Sequence, residues 1–174
     1  PGVVRRRPQE DNRVVSEQQE LSPLAKHARD EVRDFYESKH AELARSRKKR
    51  FYYYDYLSRV LKARVVPSQR VLEIGCGVGD LLAACSPSFG VGIDLSGKAV
   101  AAARSRHPNL HFLEGDAGEA STLTRAGGPF DVILIVNVLT FMGDVRRLFD
   151  ALHLVSHSKT RGIIYSYSRL WQPI

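Results

Sequence analysis

The sequence predicts an α/β fold: a mostly parallel, doubly wound sheet with helices on both faces, preceded by N-terminal helices. Three observations carry this. From Arg70 onward short apolar runs alternate with helical patterns, the rhythm of successive strand–helix–strand units. One run, "FDVILIVNVL" from Phe130 to Leu139, is apolar on both faces, as a strand covered by helices on two sides must be. The stretch "VLEIGCGVGD", Val71 to Asp80, sets three glycines at alternate positions directly after a strand-like segment. In such a sheet that is where ligands bind. The 174 residues, 43% of them apolar, suffice for one domain with a real core.

The elements follow in order. Residues 1–22 are polar and read as an N-terminal arm. Residues 23–69 read as N-terminal helices. Ser22-Pro23 is a capping residue followed by proline in a first turn. Leu24, Ala28, Val32, Phe35, Tyr36 and Leu43 then recur at three- and four-residue spacing, predicting one helix to about Arg45. A second helix is predicted from about Lys48 to Arg64, with Tyr53, Leu57, Val60 and Leu61 on one face and Pro67 behind it. Residues 70–174 read as the α/β core. "RVLEIG" is a strand and "GDLLAAC" a helix. "GVGIDL", Gly90 to Leu95, is a second strand, and "GKAVAAARSRH" a helix. "NLHFLEGD" holds a third strand, "FDVILIVNVL" a fourth, "DVRRLFDALHLV" a helix and "TRGIIYSYS" a fifth strand.

The net charge of +7 is unevenly spread. Pro1 to Gln69 carries 16 Lys and Arg against 10 Asp and Glu; Arg70 to Ile174 carries 10 against 9. The excess sits in Arg5–Arg7 and in "RSRKKR", Arg45 to Arg50. Such clusters bind phosphates or nucleic acid in some proteins and form the solvated face of a helix in more. A nucleic-acid partner is therefore not the favoured expectation. No apolar run approaches the roughly 20 residues that span a bilayer. The first residues show no apolar signal core, and Cys76 and Cys85 read as reduced thiols, so a cytoplasmic location is expected. Two cysteines without a matching His cluster make no zinc site, and no metal is expected.

The glycine-rich stretch distinguishes between ligands. A dinucleotide loop has the pattern G-x-G-x-x-G so that pyrophosphate can approach the helix that follows. Here Gly75 and Gly77 fit, but Asp80 stands at the third position, where an acid repels pyrophosphate. The pattern is instead E-x-G-x-G-x-G, with Glu73 two residues before Gly75, and Gly79 last. An acid there suits a positively charged group such as an amino-acid ammonium. Asp94 ends the second strand 17 residues after Gly77, where an acid can accept both ribose hydroxyls. Asp116 ends the third strand, where it can accept an adenine amino group. Ammonium, ribose and adenine together describe S-adenosylmethionine. Cys76 reads as a small residue of the loop; no base stands near it in sequence to make it a nucleophile. Asn137 follows a buried strand, where site lining and simple capping are both open.

With these motifs in hand, the region from about Arg70 to Tyr167 resembles the Rossmann-like class I SAM-dependent methyltransferases. "VLEIGCGVG" is similar to the family's first motif, "GIDLS" to its second, "FLEGDA" to its third and "FDVILIVNVLTFM" to its fourth-strand motif. The resemblance implies that Glu73, Gly75, Cys76, Gly77 and Gly79 cradle the cofactor's methionine part and that Asp94 holds the ribose. It sets Leu95, Asp116 and Ala117 at the adenine, and Asn137 and Val138 beside the methyl-transfer site. Because the family's N-terminal helices lie beside the site, Tyr53 of "FYYY" is expected to close over the cofactor.

The expected activity is methyl transfer to a small-molecule or glycan acceptor, leaving S-adenosyl-L-homocysteine. "RKKRFYYYDYL" and "TRGIIYSYSRLWQPI" resemble segments of methyltransferase domains found with glycosyltransferases in bacterial polysaccharide pathways. The alternatives are an RNA methyltransferase, on the basic N-terminus, and a SAM-binding module without turnover. A nicotinamide dehydrogenase is disfavoured by Glu73 and Asp80. The family's core has seven strands and this chain supplies five, so the sheet is expected to be truncated after the fifth. Tyr165, Tyr167 and Trp171 would stand near the open edge and favour a homodimer. No catalytic base is identified.

Overall fold

The structure, a computed structural model, describes residues 21–166. Most of the expected arm, together with Tyr167 and Trp171, lies outside the described residues. Pro23–Lys49 form α1, and the Ser22 hydroxyl accepts the N–H of Ala25 at 3.2 Å, the capping role read from Ser-Pro. α1 runs past the expected end at Arg45, and α2 (Phe51–Lys62) begins at Phe51 rather than Lys48. The junction is Lys- and Arg-rich, and these are good helix formers. Only Arg50, at φ −96° and ψ 29°, leaves helical geometry. α2 buries Leu57 and Leu61, and Val65 follows them into the core. None of the described side chains of α1 is fully buried.

Five strands follow: β1 (Arg70–Ile74), β2 (Phe89–Asp94), β3 (His111–Glu114), β4 (Val132–Val136) and β5 (Arg161–Tyr165). They form one sheet in the order β3-β2-β1-β4-β5, and all four pairings are parallel. The chain lays β2 and β3 to one side of β1, then returns to place β4 and β5 on the other. The order therefore reverses between β1 and β4, and a crevice opens at their carboxyl ends. The connecting helices are α3 (Asp80–Ala84), α4 (Gly97–Arg106), α5 (Ala120–Ala126) and α6 (Val145–Leu152).

Both faces of the sheet are covered, as the apolar runs required. Val71, Val132 and Leu134 pack with Leu57 and Leu61 of α2, Leu82 of α3 and Val100 of α4. Leu72, Ile74, Ile133 and Ile135 face the other way, onto Leu123 of α5 and Leu148 of α6. The switch from one face to the other at each residue is the two-residue period of a strand. All five residues of β4 are buried. Strand and helix patterns did not announce α5. Its sequence "ASTLTRA" holds Ser and two Thr, weak helix formers, and burial of Leu123 and Ala126 decides its state. Among the described residues, no helix is long and apolar enough to cross a membrane.

Candidate functional site

The crevice is a cavity of about 920 Å³, at the upper end of the roughly 300–1,000 Å³ common for ligand sites. Its floor is the loop from β1 to α3. Gly75 and Gly77 adopt left-handed backbone, φ +69° and +54°. A Cβ on Gly75 would stand 2.7 Å from Val138 Cγ2, so the loop can lie against the turn that follows β4 only with glycine there. The N–H groups of Gly75 and Cys76 both donate to the carbonyl of Ile93, at 2.8 and 3.0 Å. The loop is thus bound to the end of β2.

Three acids reach the cavity from three strands. Glu73 in β1 is 2% exposed, and its Oε2 accepts the N–H of Leu82 in α3 at 3.0 Å. This ties strand to helix beneath the loop. Asp94, the last residue of β2, accepts the Gly77 N–H at 2.7 Å on Oδ2 and the Ser96 N–H at 2.9 Å on Oδ1. Asp116 follows β3. Its Oδ1 accepts the Gly118 N–H at 2.8 Å, and its Oδ2 lies 3.8 Å from Arg29 Nη1 and 3.9 Å from Arg147 Nη1.

Of the residues expected from sequence, Glu73, Gly75, Cys76, Gly77, Asp94, Leu95, Asp116, Ala117, Asn137, Val138 and Tyr53 all line this one cavity. Gly79 does not. At φ +77° it precedes α3 as its N-cap, and a Cβ there would meet the Phe112 ring of β3 at 2.6 Å, so its lack of a side chain lets the start of α3 lie against that ring. Asn137 is a lining residue in left-handed backbone, φ +56°, a conformation that Asn tolerates. Its Nδ2 donates to the Tyr53 hydroxyl at 2.6 Å, which joins the end of β4 to α2. Its Oδ1 is buried with no hydrogen-bond partner among the described residues.

The resemblance set the N-terminal helices beside the site, but the residues of α1 that roof the cavity were not read from the sequence. Ala25, Arg29, Val32 and Tyr36 form one stripe of α1 over the cavity, and Leu21, just before the helix, joins them. Tyr36 packs edge-on against Phe141, and burial followed by the charge of Asp94 pushes its hydroxyl above the usual tyrosine range. The three- and four-residue spacing of α1 pointed to an apolar face, but not to the surface it would meet. Arg147 of α6 also lines the cavity and had no signal in sequence. The histidines serve elsewhere: His107 Nε2 stands 2.9 Å from Asp80, and His157 Nε2 3.1 Å from Asp131. Among the described residues, no group of three or more His, Cys, Asp and Glu could hold a metal ion.

The arrangement suits an elongated ligand with a cationic end, a diol and an adenine-like edge. Glu73, Asp94 and Asp116 lie along one cavity whose remaining walls are largely apolar, and the buried, unbonded Asn137 Oδ1 lies where β4 ends. These features fit S-adenosylmethionine.

Comparison with known proteins agrees in fold. The sequence profile described as a methyltransferase domain matches residues 71–158, just over half of the chain. Among solved structures, a TehB-like SAM-dependent methyltransferase from Corynebacterium glutamicum is similar at 20% identity and a TM-score of 0.59. The match covers 73% of this chain and 72% of that one. Magnesium protoporphyrin IX methyltransferase from Synechocystis, solved with bound SAH, is similar at 20% identity and a TM-score of 0.58, covering 74% and 68%. A SAM-dependent methyltransferase from Geobacter sulfurreducens, in complex with S-adenosyl-L-homocysteine, is similar at 24% identity and a TM-score of 0.51. There the match covers 63% of this chain and 47% of the other. A comparison with curated proteins gives no match.

Proposed function

Since the chain belongs to the methyltransferase domain family, we propose that it binds S-adenosylmethionine and transfers the methyl group to a small-molecule or glycan acceptor. The observation that supports this best is the convergence of Glu73, Asp94 and Asp116, from three successive strands, on the cavity floored by the glycine loop. The cofactor, when bound, would supply an electrophilic methyl on a sulfonium: the acceptor's lone pair would form the new bond to that carbon, and the electron pair of the broken S–C bond would stay on sulfur.

Each residue has a defined task in this reading. Glu73 offers a buried negative charge to an ammonium group. A carboxylate accepts about four hydrogen bonds, which lets Asp94 hold the loop and receive ribose hydroxyls together. Leu95 and Ala117 border the adenine, with Asp116 at its amino group. Asn137 and Val138 border the cofactor beside its methyl, and Tyr53, hydrogen-bonded to Asn137, closes over it. α1 and the Phe141 turn roof the cavity, and holding the reacting atoms in line is the main contribution to such a displacement. The reading extends to a homodimer: β5 pairs only with β4 among the described residues, and Ile164 on it is 50% exposed.

The test is formation of S-adenosylhomocysteine from S-adenosylmethionine over a panel of hydroxylated and amino small molecules, sugars and an RNA. Turnover with a small molecule or sugar is expected. Turnover with RNA alone would reassign the acceptor. Cofactor binding with no turnover on any acceptor would leave a binding module.

A further inference from the structure

Resting on the cofactor reading above, we infer that Arg147 is a further cofactor-binding residue, which reads the adenine ring jointly with Asp116. Two adjacent arginines at the start of α6 behave differently. The Arg146 side chain is 91% exposed and pairs with Asp150 one turn on, whereas that of Arg147 is 23% exposed and lines the cavity. The fold imposes this. Asp144 caps α6 by accepting the Arg147 N–H at 3.0 Å, and Leu148, fully buried, sets the rotation of the helix on the sheet. The stem of Arg147 then runs beside Gly118: a Cβ on that glycine would stand 3.8 and 3.9 Å from Arg147 Cγ and Cδ.

The guanidinium ends in an unusual position. Nη1 is buried and has no hydrogen-bond partner among the described residues, and it lies 3.9 Å from Asp116 Oδ2, too far for a hydrogen bond. A buried, unbonded donor on a charged group is costly, so such a group calls for an acceptor. The other cation near Asp116 has its own partner, since Arg29 Nη1 stands 3.2 Å from Glu119 Oε1. The site therefore sets a carboxylate acceptor beside a guanidinium donor. Adenine presents the complement, an amino donor next to a ring-nitrogen acceptor. Guanine presents two acceptors, O6 and N7, on the corresponding edge, and Asp116 would repel one of them. A free anion would meet the same carboxylate. The pair thus selects adenine.

The experiment is calorimetric titration of the full chain with S-adenosylhomocysteine and with its 1-deaza and 7-deaza analogues, each lacking one ring nitrogen beside the amino group. Arg147→Met, which keeps the stem, is compared with wild type. The expected result is a loss of about tenfold or more in affinity for S-adenosylhomocysteine, with wild type and variant alike toward one deaza analogue. Equal binding of S-adenosylhomocysteine by both proteins would overturn the inference, as would an equal loss on all three ligands, the mark of a merely structural role. A folded wild type that binds none of them would remove the cofactor reading, and this one with it. If Arg147→Met does not fold, Arg147→Lys, which keeps stem and charge but loses the planar fork, carries the same comparison.

Discussion

Asp94 holds the Gly77 N–H and the Ser96 N–H on its two oxygens, so one side chain shapes the loop and lines the cavity. That double use explains why an acid at the end of β2 was legible in sequence: its spacing from the glycines reflects contact across neighbouring strands. Gly75 was legible for a related reason, and it can be tested alone. Gly75→Ala places a Cβ against Val138 in left-handed backbone, at a cost of about 1–3 kcal/mol. Thermal unfolding should show Tm lower by several degrees; an unchanged Tm would remove the steric argument. Cys85 makes a second test. It is 3% exposed, and burial with the nearby charge of Glu73 pushes its thiol up to about 12. Folded protein at pH 8 should react slowly with a thiol reagent, and two thiols should react at once in denaturant; fast labelling of Cys85 in the folded chain would contradict its burial. Arg147 and Tyr36 were illegible, because only packing brings α6 and α1 to the cavity.

At the level of elements, α1 is held over the site by a few polar ties rather than by a buried face. Glu37 Oε1 accepts the Ser96 hydroxyl at 2.9 Å and the Lys98 N–H at 3.0 Å, and the Lys98 ammonium donates to the Glu37 carbonyl at 3.0 Å. The Lys98 N–H, with smaller help from the Ser96 hydroxyl, lowers the Glu37 carboxyl below the usual range. A lowered carboxylate contributes stability that is full above its unfolded value and is lost as pH falls through the folded value. Amide-exchange protection of α1, corrected for intrinsic rates, should therefore fall on acidification below the ordinary glutamate range, and Glu37→Gln should remove that dependence. Protection independent of pH in both proteins would contradict the tie. The existence of α1 and α2 could be read from three- and four-residue spacing, whereas their boundary could not. Arg50 breaks the helix inside a run of good helix formers, and no residue type marks the break. α5 was hidden likewise, its weak propensity overridden by burial of Leu123 against the sheet.

Across the whole molecule, the parallel sheet followed from alternating strand and helix patterns, and the right-handedness of parallel crossovers leaves few strand orders open. The switch point between β1 and β4 then placed the site before any side chain was considered. What the sequence could not show was enclosure: a cavity of about 920 Å³ depends on how α1 and the turn after β4 meet above the glycine loop. Self-association belongs to this scale too. With Ile164 exposed on β5, light scattering at rising concentration should show a dimer, and a monomer throughout would count against that use of the edge. The central claim is that the three acids and the glycine loop form a site for S-adenosylmethionine. Calorimetric titration with S-adenosylhomocysteine, with NAD as control, tests it most directly on wild type and Asp94→Ala. The account predicts binding of S-adenosylhomocysteine, none of NAD, and a loss of at least about tenfold in the variant. Binding of NAD in its place, or equal binding by wild type and Asp94→Ala, would contradict it.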